Sequence, residues 1–280
     1  MAINGDDAHY NMCLSSASFW SPHYLSRSAW IQHAPFAFWL IAAARPSTIV
    51  ELGTHTGVSY FAFCQAVVTE GLPTRCYAVD TWRGDDHTLP YGETIFARVQ
   101  THNAAHYAGF SKLLHRTFRE ALADIEDGTV DLLHVDGRHY YEDVREDFTS
   151  WEKKLSPRAV VLFHDTNVFE RQFGVYRYWA EVRAGRPSFE FLHGHGLGVL
   201  GYGTDLPPLV SRFFASAADP TTTTAIRGAY ERLGEGVQLA AKLDAIREDL
   251  AMRPTERLDV WMRSKLGIKP KKLKAGGWIL

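Results

Sequence analysis

The chain has 280 residues, 46% of them hydrophobic and 13% aromatic, which is enough apolar surface for a full core in one or two domains. A formal net charge of −2 gives no overall attraction for nucleic acid, and no apolar stretch approaches the roughly 18 residues of a membrane-spanning helix. The N-terminus lacks the basic start and apolar core of a signal peptide, and the three cysteines lack metal-ligand spacing. We therefore expect a globular, cytoplasmic protein that binds no nucleic acid and does not insert into a membrane.

Apolar runs and amphipathic stretches alternate along most of the chain. Residues 1–45 form a lead-in that ends in an aromatic-rich helical segment, Ala29 to Ala44. Residues 46–205 then supply strands whose continuous apolar character predicts a parallel sheet with helices on both faces. The predicted strands read TIVELG, RCYAVDTW, SKLLHRTF, TVDLLHVDG and AVVLFHD, with a helix after each of the first four.

Two late strands and a long helix complete the predicted architecture. FEFLHG and LGVLGYG are joined by a short turn, so they predict an antiparallel hairpin at one edge of the sheet. Residues 206–280 form a helical extension in which Thr223 or Thr224 caps a helix with Ile226, Tyr230 and Leu233 on one side. The fold class is therefore α/β, a doubly wound and mostly parallel Rossmann-like sheet with additional helices at both ends.

The end of the chain, RSKLGIKPKKLKAGGWIL, contains six basic residues and no acid. Such a tail is typical of a solvated end, and peripheral contact with anionic lipid or glycan is the alternative. The helix before it offers a surface for a second copy of the chain or for a glycosyltransferase partner.

Polar residues follow the predicted strands where each strand ends. These are Glu51 after the first strand, Asp80 after the second, Asp136 after the fourth, and His164 with Asp165 after the fifth. In parallel α/β sheets the carboxyl ends of the strands form the ligand-binding edge. We therefore expect these residues around one site.

The first strand leads into IVELGTHTGVSY, residues 49–60, which carries glycines at Gly53 and Gly57. A dinucleotide fingerprint needs glycines where His55 and Val58 stand, so a nicotinamide cofactor is excluded. Glycines let the backbone approach a ligand closely, and the carboxylate of Glu51 is poorly suited to face a pyrophosphate. A ligand with an amino-acid portion and a nucleoside, but no phosphate, fits this turn better.

Asp80 ends the second strand, where a carboxylate accepts hydrogen bonds from both hydroxyls of a ribose. Together with the E-x-G-x-x-x-G turn, this arrangement resembles the class I S-adenosylmethionine-dependent methyltransferases. The resemblance implies that the turn cradles the methionine end of the cofactor. It implies these cofactor-binding residues: Glu51, Gly53, Thr54, Gly57, Ser59, Asp80, Thr81, Trp82, Phe118 and Asp136.

The stretch DLLHVDGRHYYEDVREDFTSWEKKLSPRAVVLFHD resembles a branch of this family, the sugar and small-molecule O-methyltransferases, which carry D-G-x-H-x-Y-E after the fourth strand. The resemblance covers roughly residues 31–203 and implies a divalent cation, Mg²⁺ above all, held at two strand ends. It makes Asp136, His164 and Asp165 metal-ligand candidates. His164 stands where that branch often has an acid, and Thr166 and Asn167 also depart from an acid-rich site.

Methyl transfer to an alcohol requires removal of the hydroxyl proton, and His139 has the pKa of a general base. It follows Asp136 by three residues, so a role as metal ligand or as a structural residue is also open. His134 lies inside the strand and is expected to be a core residue. His193 and His195 lie in a glycine-rich stretch that favours a tight hairpin over a ligand site.

These residues predict an S-adenosylmethionine-dependent O-methyltransferase acting on a sugar hydroxyl of a bacterial surface glycan or a glycosylated natural product. The aromatic lead-in and the segment Phe173 to Val182 offer rings of the kind that stack on pyranoses. Asp85, Asp86 and His87 are candidates for the acceptor site. The alternatives are a catechol-like acceptor and a non-catalytic cofactor-binding module that recruits a glycosyltransferase.

Overall fold

The computed structural model describes residues 13–84 and 93–251, with side chains as far as residue 247. Its centre is a seven-stranded sheet in the order β3-β2-β1-β4-β5-β7-β6. Strands β1 to β5 are parallel, and β7 runs antiparallel to both of its neighbours. The strands are β1 Thr48–Leu52, β2 Arg75–Asp80, β3 Ser111–His115, β4 Val130–Val135, β5 Leu155–His164, β6 Ser188–Phe191 and β7 Leu197–Gly201. The predicted Rossmann-like sheet and its late hairpin are confirmed.

Helices cover both faces of the sheet. They are α1 Ala34–Ala44, α2 Val58–Thr69, α3 Glu93–His106, α4 Phe118–Ala121, α5 Tyr141–Trp151, α6 Val175–Val182, α7 Pro208–Ser216 and α8 Pro220–Ala251. Short 3₁₀ turns accompany them at Ser16–Phe19, Ala29–His33, Leu122–Asp124 and Glu152–Lys154. The crossovers between parallel strands bring the carboxyl ends of β1, β2, β4 and β5 to one edge, which is where such sheets bind ligands.

Strand β5 begins earlier than the sequence predicts. It starts at Leu155 rather than Ala159 and includes Pro157, with a register shift against β4 between Val130 and Leu132. Proline has no N–H to donate to the ladder, so a bulge is a place where a strand tolerates it. The carbonyl oxygen of Pro157 accepts a hydrogen bond from the Asp205 backbone N–H at 2.7 Å.

The C-terminal helix α8 starts before the predicted cap. It begins at Pro220, and the carboxylate of Asp219 accepts the N–H of Thr222 at 2.7 Å, so Asp219 takes the capping role predicted for Thr223 or Thr224. The same carboxylate oxygen of Asp219 also accepts a hydrogen bond from the Thr222 hydroxyl at 2.6 Å. Ile226 and Tyr230 are buried in the same hydrophobic cluster as α1. The beginning of α8 is therefore part of the core.

The second half of α8 leaves the body of the protein and exposes Leu239, Leu243 and Ile246. The basic tail lies outside the described residues, as do Asp85, Asp86 and His87. None of the helices in the described ranges is long and apolar enough to cross a membrane.

Candidate functional site

A cavity of about 620 Å³ opens at the carboxyl ends of the parallel strands. Most of the predicted site residues line it: Gly53, Thr54, Ser59, Asp80, Thr81, Phe118, Asp136, His139, His164 and Asp165. We call the part beside β1, β2 and α4 the donor half and the part beside Asp136 and Asp165 the acceptor half. The predicted convergence of strand ends is present, and each half has its own chemistry.

The turn after β1 requires glycine because the backbone passes very close to the loop after β4. Gly53 has φ +94°, and a Cβ there would overlap the backbone carbonyl of Asp136. The Gly53 N–H donates to the carbonyl of Val79 at 2.9 Å, and the Asp136 N–H donates to that of Leu52 at 2.8 Å. Gly57 caps α2 with φ +84° but does not line the cavity. The close approach of the two loops thus fixes the turn at the wall of the donor half.

Asp80 holds this turn in place through both carboxylate oxygens. One oxygen accepts the backbone N–H of His55 at 2.7 Å, and the other accepts that of Trp82 at 2.6 Å. Burial raises the pKa of Asp80, although these hydrogen bonds oppose the rise. A carboxylate has about four lone-pair positions, so Asp80 retains acceptor capacity toward the cavity that it lines.

Besides Gly57, two predicted cofactor-binding residues, Glu51 and Trp82, do not line the cavity. Alternation along β1 turns Glu51 toward α1, where it is fully buried and accepts a hydrogen bond from His134 Nδ1 at 2.8 Å. His134 Nε2 in turn accepts from Trp30 Nε1 at 3.2 Å, so His134 is a satisfied core residue as expected. The buried Trp82 ring donates from Nε1 to the carbonyl of His55 at 2.9 Å, so it supports the turn from behind.

Phe118 and Asp147 border the donor half on either side of Gly137. A Cβ at Gly137 would lie 2.6 Å from the Phe118 ring and 2.8 Å from the Asp147 carboxylate. Burial, followed by the charges of Asp143 and Glu146, raises the pKa of Asp147 to about 8. The sequence analysis did not find Asp147, because its spacing within α5 is that of an ordinary solvated acid.

Three side chains converge in the acceptor half. His139 Nε2 lies 2.9 Å from Asp165 Oδ2 and 3.8 Å from Asp136 Oδ1. One ligand atom from each of the three residues lies within 4.8 Å of the others, a spacing suited to one metal ion. Asp165 has φ +61°, a conformation uncommon outside glycine, asparagine and aspartate, directly where β5 ends.

His164, predicted as a metal ligand, has both ring nitrogens engaged within the protein. Its Nε2 donates to the carbonyl of Gly194 at 3.0 Å, and Nδ1 lies 3.2 Å from Asp136 Oδ1 and 3.3 Å from Asp165 Oδ2. Among the described residues, His139 rather than His164 therefore completes the set with the two acids. His164 is the last residue of β5, and its Nε2 is held by the carbonyl of Gly194 in the hairpin turn between β6 and β7.

The charges of this cluster stabilise one another. Burial alone lowers the pKa of His139, but hydrogen bonds and charges from Asp136 and Asp165 outweigh it and raise the value to about 9. Burial also works against a charged His164, whose pKa the same two acids raise well above its usual value. Burial raises the pKa of both Asp136 and Asp165. The charge of His164 and hydrogen bonds from the neighbouring imidazoles outweigh burial and lower both pKa values below the usual range. The arrangement is thus one of ionised acids and protonated imidazoles.

Further residues of the acceptor half were missed by the sequence analysis. His195 Nδ1 donates to Asp165 Oδ1 at 3.0 Å, so the predicted tight hairpin turn also delivers a histidine to the site. Phe173 stacks on His139 with ring centroids 4.4 Å apart. The glycines flanking His195 were the available signal for that close approach, whereas Phe173 was predicted only as one ring of the segment from Phe173 to Val182. Arg27 and Arg171 also line the cavity.

The aromatic segments proposed to stack on a sugar lie mostly in the core. Tyr178 and Trp179 of α6 are buried against Phe163, and Trp30 and Phe36 of the lead-in are buried as well. Their hydrophobic area stabilises the sheet layers and leaves no ring face for a ligand. Phe173 is the member of the segment from Phe173 to Val182 that lines the cavity.

Comparison with known proteins bears on the middle of the chain. The model of a family described as a methyltransferase domain matches residues 50–166. An uncharacterized protein of Sinorhizobium fredii, y4gI, is 57% identical over 207 residues, which cover 74% of this chain. The match covers only 22% of the length of that relative.

Solved methyltransferases follow a similar chain course at low sequence identity. The Podospora anserina methyltransferase PaMTH1, bound to SAH, is 11% identical with a TM-score of 0.47, covering 71% of this chain and 97% of that one. The O-methyltransferase TomG of Streptomyces achromogenes, in complex with SAM and involved in tomaymycin synthesis, is 17% identical with a TM-score of 0.46, covering 72% and 92%. The stretch that matches the methyltransferase-domain family, residues 50–166, contains the glycine turn, Asp80, His139 and Asp165.

Proposed function

We propose that the protein is an S-adenosylmethionine-dependent O-methyltransferase, assisted by a divalent cation, that methylates a sugar hydroxyl in a bacterial surface glycan or a glycosylated natural product. The observation that carries this proposal is the convergence of Asp136, His139 and Asp165 in the same cavity as the glycine turn and Asp80. One half suits a nucleoside with an amino-acid arm. The other half suits an oxygen nucleophile.

The donor half offers groups for each part of S-adenosylmethionine. The turn of Gly53 and Thr54 fits the methionine arm, because both residues line the cavity. The spare lone pairs of Asp80 fit the ribose hydroxyls. Phe118, at the far wall of this half, offers an aromatic ring for the adenine.

The donor set of the acceptor half fits a hard divalent cation. Two carboxylates and one imidazole, with ligand atoms within 4.8 Å, leave positions for ligands from the acceptor, and oxygen-rich sites suit Mg²⁺ or Mn²⁺. A cation bound by Asp136 and Asp165 would orient acceptor oxygens and lower the pKa of the hydroxyl. His164 and His195, which hold the two acids from outside, would fix the orientation of these ligands.

The transfer itself needs one proton acceptor. The hydroxyl oxygen forms a bond to the methyl carbon while the carbon–sulfur bond breaks and sulfur keeps the electron pair, and the hydroxyl proton leaves to a base. His139 would receive that proton at Nε2, the nitrogen that faces the two acids, only as a neutral imidazole. A cation held by Asp136 and Asp165 would favour this neutral form, because its charge repels the imidazolium. The same nitrogen is the one available as a metal ligand, so the two roles exclude each other.

A sugar acceptor is supported by the resemblance of residues 131–165 to sugar O-methyltransferases and by the aromatic ring of Phe173 in the cavity wall. A small acceptor also suits the cavity, since about 620 Å³ is in the range of sites that hold one donor with a small partner.

Methyl transfer with and without a chelator tests the proposal. S-adenosylhomocysteine formation is measured over a panel of sugar and catechol acceptors, with Mg²⁺ or Mn²⁺ restored after chelation. We expect Asp136→Asn and Asp165→Asn to abolish the metal response, while Asp205→Asn, an exposed acid outside the cavity, keeps it. Full activity in excess chelator would remove the metal from the proposal, and no turnover with any acceptor would count against the enzyme assignment.

A further inference from the structure

We infer that the acceptor carries an oxyanion, a carboxylate or a phosphate, beside the hydroxyl that is methylated, and that Arg27 binds it. This inference rests on the proposed function, because it names the class of acceptor for the same cavity. It comes from the segment before α1, which forms part of the wall of the acceptor half.

Three separate segments surround the cluster of Asp165 and His139. Phe173 stacks on His139, and His195 donates to Asp165. The third segment, residues 27–29, meets the hairpin turn, since a Cβ at Gly194 would lie 3.0 Å from the carbonyl oxygen of Ala29. Residues 27–29 all line the cavity. Arg27 therefore lines the cavity from a segment that meets the wall of the acceptor half.

The backbone on both sides of Arg27 is fixed to the rest of the protein. Before it, the Tyr24 hydroxyl donates to the carbonyl of Thr56 at 2.8 Å, and the His23 N–H donates to the Gln65 side chain at 2.8 Å. After it, the buried Trp30 donates to His134. The segment thus holds the base of the Arg27 side chain in a defined position, as a recognition residue requires.

None of the residues that the structure describes pairs with the positive charge of Arg27. Across the described ranges, the Arg27 guanidinium makes no ion pair or hydrogen bond. The acids nearest to the acceptor half are already matched, because Asp165 has His139 and His195, and Asp136 has His164. The planar guanidinium, with its fork of N–H donors, suits a carboxylate or phosphate in bidentate geometry.

A second arginine adds to the positive potential of the same wall. Arg171 lines the cavity, and its guanidinium carbon lies 4.9 Å from the centre of the Phe173 ring. Arg171 and Gln172 have φ +52° and +60°, a left-handed pair of non-glycine residues that is uncommon in loops. This backbone turns the loop after β5 so that Arg171 and Phe173 both face the acceptor.

Matched acceptors test the inference through catalysis. Glucose, glucuronate and glucose phosphate are compared as acceptors at low ionic strength, with S-adenosylhomocysteine formation as the readout. We expect kcat/KM to be higher for one or both anions than for glucose, and Arg27→Gln to lower it for the anions by about 10- to 100-fold, the range for charge-assisted hydrogen bonds. Arg232→Gln, which removes the same charge outside the cavity, should change nothing. Glucuronate and glucose phosphate, run separately, distinguish a carboxylate from a phosphate.

A binding measurement covers the case in which none of these sugars is methylated. Inorganic phosphate and glucuronate are titrated into the full chain saturated with S-adenosylhomocysteine. Saturable binding of at least one of these anions supports the inference if Arg27→Gln weakens the binding at least tenfold and Arg232→Gln does not. Absence of binding, or equal binding to the Arg27→Gln variant, overturns it. Methylation of glucose that exceeds that of both anions overturns it too, while leaving the proposed function intact. Absence of S-adenosylhomocysteine binding counts against the proposed function instead.

Discussion

The two halves of the cavity are built in different ways. The donor half is formed by backbone from one short turn and by strand-end residues close to it, with Asp80 accepting N–H groups from both sides. The acceptor half is formed by side chains from four separate segments, which meet around Asp165 and His139. Under the proposed function, the donor half would bind the cofactor and the acceptor half would select the substrate.

The comparison of the two halves predicts that a substitution can lower turnover without changing donor affinity. The largest effect on turnover should follow from a change at His139. We expect His139→Ala to lower turnover by about 10²–10⁴-fold, the usual contribution of general acid–base catalysis. Donor affinity should stay nearly unchanged, because His139 contacts Asp165, Asp136 and Phe173 rather than the glycine turn. Turnover is measured by S-adenosylhomocysteine formation at saturating donor.

The matched control is His106→Ala, which removes an exposed histidine outside the cavity. A His139→Ala variant that keeps its turnover but loses affinity for Mn²⁺ would make His139 a ligand instead of a base. A variant that loses its near-ultraviolet circular dichroism would point to a structural role through Phe173.

The contact between the two halves should be sensitive to a single methyl group at Gly53. Gly53→Ala places a Cβ against the backbone of Asp136 and forces alanine to φ +94°, so we expect a loss of about 3 kcal/mol or more in the free energy of unfolding. Gly71→Ala is the control, because Gly71 also has positive φ, +61°, but its Cβ would meet nothing within 4 Å. That variant should lose only about 1–2 kcal/mol, the cost of a left-handed alanine. Equal losses in urea denaturation would contradict the close approach.

A smaller effect on the free energy of unfolding, one that depends on pH, should come from Asp147 at the border of the donor half. The pKa of Asp147 is raised to about 8 in the folded chain, from near 4 when unfolded, so the folded state holds this proton longer. Its contribution to stability is full below pH 4 and is lost as the pH rises toward 8. Asp147→Asn removes the titration, so its advantage over the natural chain should grow by about 1–2 kcal/mol between pH 5 and pH 8.5, given partial solvent exposure. Urea denaturation at the two pH values, with Asp205→Asn as a control, checks this, and a difference that stays constant with pH would refute it.

The sequence was sufficient to predict the sheet and the donor half because the signals are local. Alternation along each element and the E-x-G-x-x-x-G turn depend on neighbours within a few residues, and all predicted site residues lie within the matched stretch 50–166. Even there, the direction of one side chain was wrong. Glu51 ends the first strand but points toward α1, since whether a strand-end residue faces the cavity depends on the strand's register as well as on its position.

The rest of the acceptor half was not predictable from local patterns. Arg27, Arg171, Phe173 and His195 lie outside the matched stretch and reach the cavity only through the packing of the lead-in, the loop after β5 and the hairpin. His164 was assigned as a ligand because it precedes Asp165, but its second nitrogen is captured by the carbonyl of Gly194. That contact joins elements far apart in sequence, and no spacing rule anticipates it.

Calorimetric titration of S-adenosylhomocysteine into three forms of the chain tests the central claim, that one half binds the donor and the other performs the chemistry. We predict saturable binding to the natural chain, affinity within about twofold for His139→Ala, and a loss of about 1.5–3 kcal/mol for Asp80→Asn, the range for hydrogen bonds to a charged group. The Asp80 change also disturbs the N–H groups of His55 and Trp82, which belong to the same half. Absence of binding to the natural chain, or losses as large for His139→Ala as for Asp80→Asn, would contradict the division of the cavity.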